Sequence, residues 1–381
     1  MKNVDNKHKA HRNDKMASRK SSKVSVILIG IIVLAALVFS IVAPNQFNAL
    51  YEAVIGRPAE TVSPFTGNSP DAILYTPNAS PSSGNESAKT LEAFFVDVGQ
   101  GDCIFLRSPN GKTMLVDCGE LSSFPAVEEF LKSQNVERLD VVVATHPHSD
   151  HIGGMAKVID NYKIGKFYMP AIENTSSAFE AMISALEEKE VNVIAADAST
   201  KSKVSWDSDV EVRILSPFSD IEYSNLNCYS VVMRIKFAGT ALMLTGDCEK
   251  ESERIMLDRL PTDYFTADIL KLGHHGSSTS TSVDFLTAVN PSVAIAMLGK
   301  DNSYGHPHRE TLKLMKDYAL KLYRTDKCGA IRVVLDGKTV AVFPERKSCF
   351  LSVRRLALRL YLYAAVINVK NHLIYLLPKL V

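Results

Sequence analysis

Residues 139–154, LDVVVATHPHSDHIGG, combine the pattern of a buried strand with a high density of potential metal ligands. The apolar run Asp140–Thr145 is typical of a strand buried on both faces. Four potential ligands follow it within six residues: His146, His148, Asp150 and His151. Imidazole and carboxylate groups bind divalent metal ions, and the strand end gives their loop a rigid base. A polar loop with chance histidines is the alternative, but this spacing favours a metal site.

Composition and charge indicate a folded protein whose charge is unevenly distributed. Hydrophobic residues make up 46% of the 381 residues and charged residues 22%, which excludes collagen-like, coiled-coil and wholly disordered chains. The net charge is only +1, yet residues 1–23 carry +6 and residues 346–381 carry +7. With −2 on residues 24–90, residues 91–345 carry −10. A basic nucleic-acid-binding module would have the opposite sign.

An uncharged segment near the amino terminus predicts a membrane anchor. As a helix, Val24–Ala43 would span roughly the 30 Å of a bilayer core at about 1.5 Å per residue. A buried core helix is the alternative, but such a helix is seldom apolar on every face. Pro44 disfavours cleavage as a signal peptide, and the basic flank predicts a cytoplasmic amino terminus. We therefore expect a single-pass protein of the cell membrane with its catalytic domain outside.

The remainder of the chain divides by composition into three segments. Residues 44–90 are rich in Pro, Ser, Asn, Thr and Gly and predict a flexible stalk. Residues 91–345 contain the regular hydrophobic patterns and predict a folded α/β domain. Residues 346–381 are basic and apolar without an acidic residue. This tail is either an amphipathic helix on a membrane surface or a poorly folded extension.

Strand-like and helix-like segments alternate through residues 91–345. The predicted strands are Ala93–Val98, Cys103–Arg107, Lys112–Asp117, Asp140–Thr145, Val210–Leu215, Val231–Phe237, Ala241–Leu244, Ile269–Leu272, Val293–Met297, Ala330–Leu335 and Thr339–Phe343. The predicted helices are Pro125–Ser133, Ser177–Lys189, Lys250–Arg259 and Pro307–Tyr318. Asn110–Gly111 and Asp336–Gly337 have the composition of two-residue hairpin turns. The pattern favours two packed sheets covered by helices.

Five motifs, taken together, carry a family resemblance. They are FFVDVGQGDCIFLRSPNGKTMLVDCG, THPHSDHIGG, LMLTGDCEKESE, ADILKLGHHGSSTSTSVDFL and NSYGHPHRETLKLM, in this order. The pattern His-x-His-x-Asp-His after an apolar strand is the signature of the metallo-β-lactamase superfamily. Over about Leu91–Pro344 the chain resembles the extracellular hydrolase domain of ComEC-type competence DNA-uptake proteins and looks like a free-standing, membrane-anchored relative of it. The phosphorylcholine esterases of cell walls are more distantly similar.

This resemblance implies a fold and a metal site. The fold is a four-layer αββα sandwich with the site at one sheet edge. His146 and His148 would bind one divalent ion, Asp150 and His151 a second, and Asp247 would bridge the two. A turn or helix-capping role is the alternative for Asp247. Zn²⁺ fits the imidazoles and is favoured, and Mn²⁺ suits a site richer in oxygen.

Two further histidine pairs have roles that the resemblance leaves open. His274–His275 ends the strand Ile269–Leu272, and neighbouring side chains at a strand end diverge. We therefore expect His275 to bind metal and His274 to contact the substrate. His306 is a candidate general acid, phosphate contact or further ligand. His308 opens the next helix and is expected at the surface.

Polar residues near the ends of other strands are candidates for supporting roles. By resemblance, Asp117 would orient a ligand histidine from the second shell of the site. Further pocket candidates are Asp97, Gln100 and Asp102, with a turn residue as the alternative for each and also for Asp117, and, by resemblance, Asn227 and Ser230. One departure from many superfamily members is that no histidine lies between His151 and His274. The first metal would then be weakly held, or completed by water or an asparagine.

The six cysteines form no Cys-x-x-Cys pair, which disfavours a zinc ribbon. If Asn110–Gly111 is a two-residue turn, Cys103 lies opposite Cys118 in a hairpin. The two would be either a disulfide or, as we favour, two small buried thiols.

Phosphoester hydrolysis is the predicted reaction, because two cations activate water and clamp an anionic substrate. Asp150, His306 and His274 are the candidate catalytic residues. The resemblance suggests a nuclease acting on external DNA, whereas the charge of −10 disfavours a polyanion. A cell-wall phosphodiester or a small phosphoester is therefore the alternative, with carboxamide or lactam hydrolysis less supported. A non-catalytic binding module would lack a ligand, and every expected ligand position is filled.

Overall fold

The computed structural model describes residues 73–75, 89–199 and 202–346. Its strands are β1 Ile73–Tyr75, β2 Leu91–Phe95, β3 Ile104–Arg107, β4 Thr113–Val116, β5 Arg138–Val143, β6 Lys163–Pro170, β7 Val193–Ala196, β8 Lys203–Val204, β9 Val210–Ser216, β10 Val232–Phe237, β11 Thr240–Leu244, β12 Ile269–Lys271, β13 Val293–Ala296, β14 Lys321–Arg324, β15 Ile331–Leu335 and β16 Val340–Pro344. Its helices are α1 Phe124–Ser133, α2 Ser149–Ile152, α3 Met155–Asn161, α4 Ser177–Glu188, α5 Lys250–Arg259, α6 Val283–Val289, α7 Arg309–Asp317 and α8 Thr325–Cys328. Short 3₁₀ turns lie at Leu121–Ser123, Leu226–Tyr229, Thr262–Tyr264 and Gly273–Gly276.

The strands form two sheets. One has nine strands in the order β1-β16-β15-β2-β3-β4-β5-β6-β7, and the other has seven in the order β14-β13-β12-β11-β10-β9-β8. Neighbours from β4 to β7 are parallel, as are those from β11 to β14. Parallel strands present their carboxyl ends at a common edge, where the loops of open α/β sheets bind ligands. The His146 loop follows β5, Asp247 follows β11, and His274–His275 follow β12.

Alternating side chains divide each sheet between an inner and an outer face. In β2, Leu91, Ala93 and Phe95 belong to the buried core between the sheets, whereas Phe94 packs with the outer helices. The Phe94 ring lies 5.5 Å from that of Phe130 on α1. Full burial of a side chain such as Phe95 contributes about 1.5–3 kcal/mol. Two sheets with helices packed on them give a mixed α/β fold, as the resemblance implies.

The strands that the sequence pattern failed to predict lie mainly at sheet edges. β1, β7, β8 and β14 are the end strands of the two sheets, and β6 lies next to β7. Edge strands bury one side only, so their hydrophobic pattern is weak. Within the predicted stalk, Ile73–Tyr75 pairs antiparallel with β16. The rest of residues 44–90, apart from residues 89–90, lies outside the described residues.

The first hairpin has a different register from the predicted one. Ile104 pairs with Val116, and Ser108 closes the loop by donating its N–H to the carbonyl of Lys112 at 2.8 Å. Three residues, not two, form the turn, so Cys103 does not lie opposite Cys118. Both are buried free thiols whose pKa is raised by burial, as we favoured.

The predicted anchor Val24–Ala43 and the segment 347–381 lie outside the described residues. Among the residues that the structure describes, no helix combines the length and apolar character needed to cross a bilayer.

Candidate metal centre

A short loop after β5 directs the first group of ligands. His146 and His148 precede α2, and α2 turns Asp150 and His151 back toward the sheet edge. The Asp150 carbonyl accepts the N–H of Asp102 at 3.2 Å. Gly101 has φ +127°, and a Cβ there would lie 2.1 Å from the Asp150 carbonyl oxygen. Only glycine therefore allows this close approach.

Asp247 lies at the centre of the cluster. Its Oδ2 is 3.3 Å from Nε2 of both His151 and His275, 3.8 Å from Nε2 of His274, and 4.0 Å from Nε2 of His146. Ser230 Oγ accepts the Asp247 N–H at 3.0 Å and fixes the backbone. One carboxylate oxygen thus faces four imidazoles, from loops that follow strands of both sheets.

Four donor groups are assembled closely enough to hold one cation. Ligand atoms of Asp150, His151, Asp247 and His275 all lie within 4.8 Å of one another. Asp247 Oδ1 and His151 Nε2 are buried without a hydrogen-bond partner. Buried polar atoms are rarely left unpaired, so these two fit a bound metal ion.

His274 and His275 do not diverge as a regular strand end would require. Both have left-handed backbone conformations, with φ of 46° and 54°, and both turn Nε2 toward Asp247. Nδ1 of His275 donates to the Met297 carbonyl at 2.9 Å, which leaves Nε2 free to bind metal. Nδ1 of His274 lies 3.2 Å from Glu249 Oε1. A hydrogen-bond partner at the ring nitrogen that does not bind metal orients the imidazole of a metal ligand in this way.

Asp117 occupies the supporting position expected from the resemblance. Its Oδ2 lies 2.7 Å from Nδ1 of His151, and it also accepts the Thr145 N–H at 2.8 Å and hydroxyl at 2.7 Å. Burial opposes the charged form of His151, but Asp247 and Asp117 outweigh burial and raise the pKa of His151. Without a metal, a proton on His151 would balance the carboxylates, and a bound cation would displace it.

Of the other pocket candidates, some join the site and others do not. Gln100 lines the cleft and accepts the Gly299 N–H at 3.3 Å. Asn227 Nδ2 donates to Glu249 Oε1 at 3.3 Å, behind His274. Asp97 lies apart and pairs with Arg346 at 3.3 Å. Asp102 is buried behind the ligands instead of shaping the pocket mouth, with Oδ1 3.5 Å from Nδ1 of His275.

The second histidine pair, His306 and His308, flanks the open side of the cluster. The His306 ring lies 5.4 Å from that of His274. Burial, with the neighbouring imidazoles, lowers the pKa of His306 to about 4. The lowered pKa favours a neutral His306 ring in the metal-free protein, and the general-acid role stays a prediction. His308 is not a free surface residue, because its Nδ1 accepts the Ser278 N–H at 2.9 Å.

A cleft of about 310 Å³ opens above the cluster. It is lined by Gln100, His148, Ser149, Asp150, Asp247, His274, His275, Tyr304 and His306. A substrate entering this cleft would meet the candidate ligands directly.

Known proteins share this sequence pattern. Residues 96–300, more than half of the chain, match the model of the metallo-beta-lactamase superfamily. The chain belongs to this superfamily. The recognition made from the motifs is thereby confirmed, together with a mixed α/β fold of two sheets.

The curated relatives of this superfamily member include competence-related proteins. ComE operon protein 3 of Bacillus subtilis is 30% identical over 272 residues, covering 66% of this chain and 34% of the relative. Competence protein ComA of Neisseria gonorrhoeae is 31% identical over 261 residues, covering 68% and 34%. The chain thus spans about a third of the length of these relatives. Among solved structures, YhfI from Bacillus subtilis has a TM-score of 0.41 and 13% identity, covering 61% of this chain and 96% of that one.

Of the two metal positions that the superfamily resemblance implies, one has more of its donor atoms assembled than the other. The four-donor group around His151 and His275 is assembled. The other position has His146 Nε2 and His148 Nδ1, 3.0 Å apart, with Asp247 at 4.0 Å from His146. His274 brings the nearest additional imidazole to Asp247 among the described residues. No histidine lies between His151 and His274 in the sequence, so His274 is the candidate for the missing third imidazole.

Lys271 is a residue of the site that sequence reasoning missed. It is fully buried on β12, and its Nζ lies 2.5 Å from Asp102 Oδ2, 2.8 Å from the Gly246 carbonyl and 3.7 Å from Asp247 Oδ1. The available signal was a single lysine inside an apolar strand that runs into two histidines. A buried lysine is rare unless it is paired, so its presence pointed to buried carboxylates.

Proposed function

We propose that this chain is a metal-dependent phosphoesterase of the ComEC type that cleaves DNA outside the cell. The observation that carries the proposal is Asp247, whose single Oδ2 faces four imidazoles below an open cleft. Competence-related relatives support DNA as the substrate class. The nitrogen-rich donor set favours Zn²⁺ over Mn²⁺.

The chain's own residues divide the work of the proposed reaction. Asp150, His151, Asp247 and His275 would hold one divalent ion, and His146, His148 and His274 would complete a second position beside Asp247. Such ions lower the pKa of bound water and neutralise phosphate charge. Asp117 and Met297 fix the rings of His151 and His275 through Nδ1.

His306 has a binding role in this proposal. Burial and the neighbouring imidazoles lower the pKa of His306 to about 4 in the metal-free chain, which favours a neutral ring. A neutral imidazole at the cleft wall donates a hydrogen bond to a phosphate or leaving-group oxygen without transferring a charge. We therefore assign His306 to substrate orientation rather than to general acid catalysis.

The proposed location of the enzyme is the outer face of the cell membrane. The uncharged segment Val24–Ala43 and its basic flank support an anchor with a cytoplasmic amino terminus. Protease added to intact cells should release a soluble fragment containing the domain. Complete protection until the cells are lysed would contradict this placement.

A cell-wall or small phosphodiester is the second candidate substrate, and charge favours it. Residues 91–345 carry −10. A second cavity of about 460 Å³ has the acidic residues Asp197, Asp220 and Glu222 among its lining. A long polyanion would be repelled by these charges, whereas a short substrate would avoid them.

The proposal is tested with the purified full-length chain in detergent, loaded with Zn²⁺ or Mn²⁺. The substrates are single-stranded DNA, bis-nitrophenyl phosphate, nitrophenyl phosphorylcholine and nitrocefin. Cleavage of DNA and of bis-nitrophenyl phosphate, abolished in Asp247→Asn, would support a nuclease. Turnover of nitrophenyl phosphorylcholine alone would favour the cell-wall alternative. Turnover of nitrocefin alone would contradict phosphoester chemistry.

A further inference from the structure

Tyr304 is an aromatic side chain left exposed at the wall of the cleft. With 64% of its surface exposed, it is the most exposed of the large hydrophobic residues in the described part of the chain. Its ring lies nearly parallel to that of His306, at 18°, with centroids 5.7 Å apart. Because Tyr304 lines the cleft beside the candidate ligands, its exposed ring offers an apolar face that a bound ligand could bury.

The loop that carries Tyr304 is held in place from both sides. Asn302 accepts the His306 N–H at 2.9 Å and donates to the carbonyls of His306 at 2.9 Å and Gly299 at 3.2 Å. The Tyr304 carbonyl accepts from Nε2 of His308 at 3.2 Å. His308 in turn accepts the Ser278 N–H at 2.9 Å, on the loop that follows His275. The Tyr304 backbone is therefore preorganised relative to the ligand loop.

We propose that Tyr304 is a stacking platform for a nucleobase adjacent to the scissile phosphate. This inference rests on the proposed nuclease function and specifies an unpaired, single-stranded segment as the substrate. One exposed aromatic face can stack on any of the four bases, because every base has a π-face. The bases of a duplex are already stacked on one another and offer no free face.

The surroundings of Tyr304 favour a base over a quaternary ammonium group. Recognition of such a cation uses a cage of several aromatic faces. Tyr304 is the only Phe, Tyr or Trp among the described residues that line the cleft. Stacking also needs no basic groove, which suits a domain with a charge of −10. Binding through Tyr304 should therefore depend on salt less than binding through lysines and arginines would.

The test compares the full-length wild type with Tyr304→Ala and Tyr304→Phe, with Tyr318→Ala as the matched control. Tyr318 is 42% exposed and lies at the end of α7. Each protein is given a short oligodeoxyadenylate and an abasic oligonucleotide of the same length. Cleavage yields kcat and KM separately, and fluorescence anisotropy in Ca²⁺ measures binding independently of turnover.

We expect Tyr304→Ala to weaken binding of the oligodeoxyadenylate and raise its KM by about tenfold, with kcat changed little. Its affinity for the abasic oligonucleotide should not change. Tyr304→Phe keeps the ring and should behave like the wild type, as should Tyr318→Ala.

The outcomes separate this inference from the proposed function. Suppose that the wild type cleaves DNA and that Tyr304→Ala binds and cleaves both oligonucleotides as the wild type does. The stacking role of Tyr304 is then wrong, whereas the proposed nuclease function is supported. If the wild type binds the base-bearing oligonucleotide through Tyr304 but cleaves no DNA, the nuclease function and the position beside a scissile phosphate are both wrong, and only base stacking on Tyr304 is supported. If the wild type neither binds nor cleaves, both fall. Equal weakening toward both oligonucleotides would indicate a structural role and overturn the platform.

Discussion

Two buried carboxylates, Asp102 and Asp247, share one buried lysine. Lys271 lies 2.5 Å from Asp102 Oδ2 and 3.7 Å from Asp247 Oδ1, and all three side chains are buried. Asp247 also faces the imidazoles of the site, so Lys271 links the supporting Asp102 to the proposed bridging ligand. A fixed ammonium at this point balances negative charge when no metal is present.

Lys271→Met should destabilise the metal-free protein by about 3–5 kcal/mol, because it leaves Asp102 without its buried partner. Metal binding should recover part of this loss by supplying positive charge. Thermal unfolding with and without Zn²⁺ measures both effects. Lys313→Met, on the exposed face of α7, is the control and should change little. Unfolding of metal-free Lys271→Met at the wild-type temperature would contradict the pairing.

Asp117 is expected to act through His151, so its role is tested by the metal affinity of the site. Asp117→Asn would place an amide N–H₂ where a carboxylate now faces Nδ1 of His151 at 2.7 Å. We expect metal affinity to fall by about 10- to 100-fold, as is typical for such supporting carboxylates. Competition with a chelator measures the affinity. Asp97→Asn is the matched control, since Asp97 pairs with Arg346 away from the cluster. Equal affinities in the two variants would show that Asp117 does not orient His151.

His306 gives a prediction about pH. Its pKa is about 4 in the folded protein against 6.5 unperturbed, so folding favours the neutral ring. The contribution of His306 to stability is complete above about pH 6.5 and is lost as the pH falls toward 4. The metal-free variant His306→Asn should therefore lose less stability than the wild type between pH 6.5 and 4.5. Denaturant unfolding at the two pH values provides the comparison, and parallel losses would contradict the lowered pKa.

At the scale of elements, the parallel strands explain why ligands distant in sequence converge. β5 and β11 belong to different sheets, and each ends at the edge where its following loop carries ligands. Close backbone packing then fixes the loops against each other. The clearest instance is Gly101, whose missing Cβ makes room for the carbonyl of Asp150.

Gly101→Ala should lower metal affinity by at least about tenfold, because its Cβ would lie 2.1 Å from the Asp150 carbonyl oxygen and displace α2. Gly111→Ala is the matched control, since Gly111 also has a positive φ, +80°, but no atom within 4 Å of the added Cβ. Gly111→Ala has the same kind of backbone strain, of order 1–3 kcal/mol, but its added Cβ collides with no other atom. Metal titration of both variants separates the two effects. Similar affinities for both would indicate that strain alone matters.

Central strands can be predicted from this sequence more reliably than strand register or edge strands can. The central strands were predicted because both faces are buried and the apolar run is continuous, as in β5. The hairpin at Asn110 was predicted one residue out of register, because turn composition does not determine whether a loop has two or three residues. The convergence of His274 and His275 depends on left-handed backbone conformations that non-glycine residues rarely adopt, and no local pattern predicts them.

For the whole molecule, the ligands themselves could be predicted from motifs, whereas their surroundings could not. The His146 loop, Asp247 and the two histidine pairs were identified from spacing and resemblance, and the fold brings them to one cleft. Lys271 and the burial of Asp102 depend on contacts between elements far apart in sequence. The lowered pKa of His306 likewise arises from burial and from imidazoles on another loop.

The charge distribution is a property of the whole chain with a functional consequence. A net charge of −10 on residues 91–345 leaves little attraction for a long polyanion. Divalent ions in the site and a stacking surface at Tyr304 would supply binding where a basic groove is lacking. This charge supports the proposal that the substrate is short or single-stranded rather than an extended duplex.

The measurement that tests the account most directly is metal content beside turnover for Asp247→Ala. The comparison includes the wild type and Asp97→Ala, a carboxylate that contacts no ligand of the cluster. Because Asp247 Oδ2 faces four imidazoles, we predict that Asp247→Ala loses bound metal and hydrolysis together, whereas Asp97→Ala retains both. Two metals and near-normal turnover in Asp247→Ala would contradict the bridging role and, with it, the proposed dinuclear site.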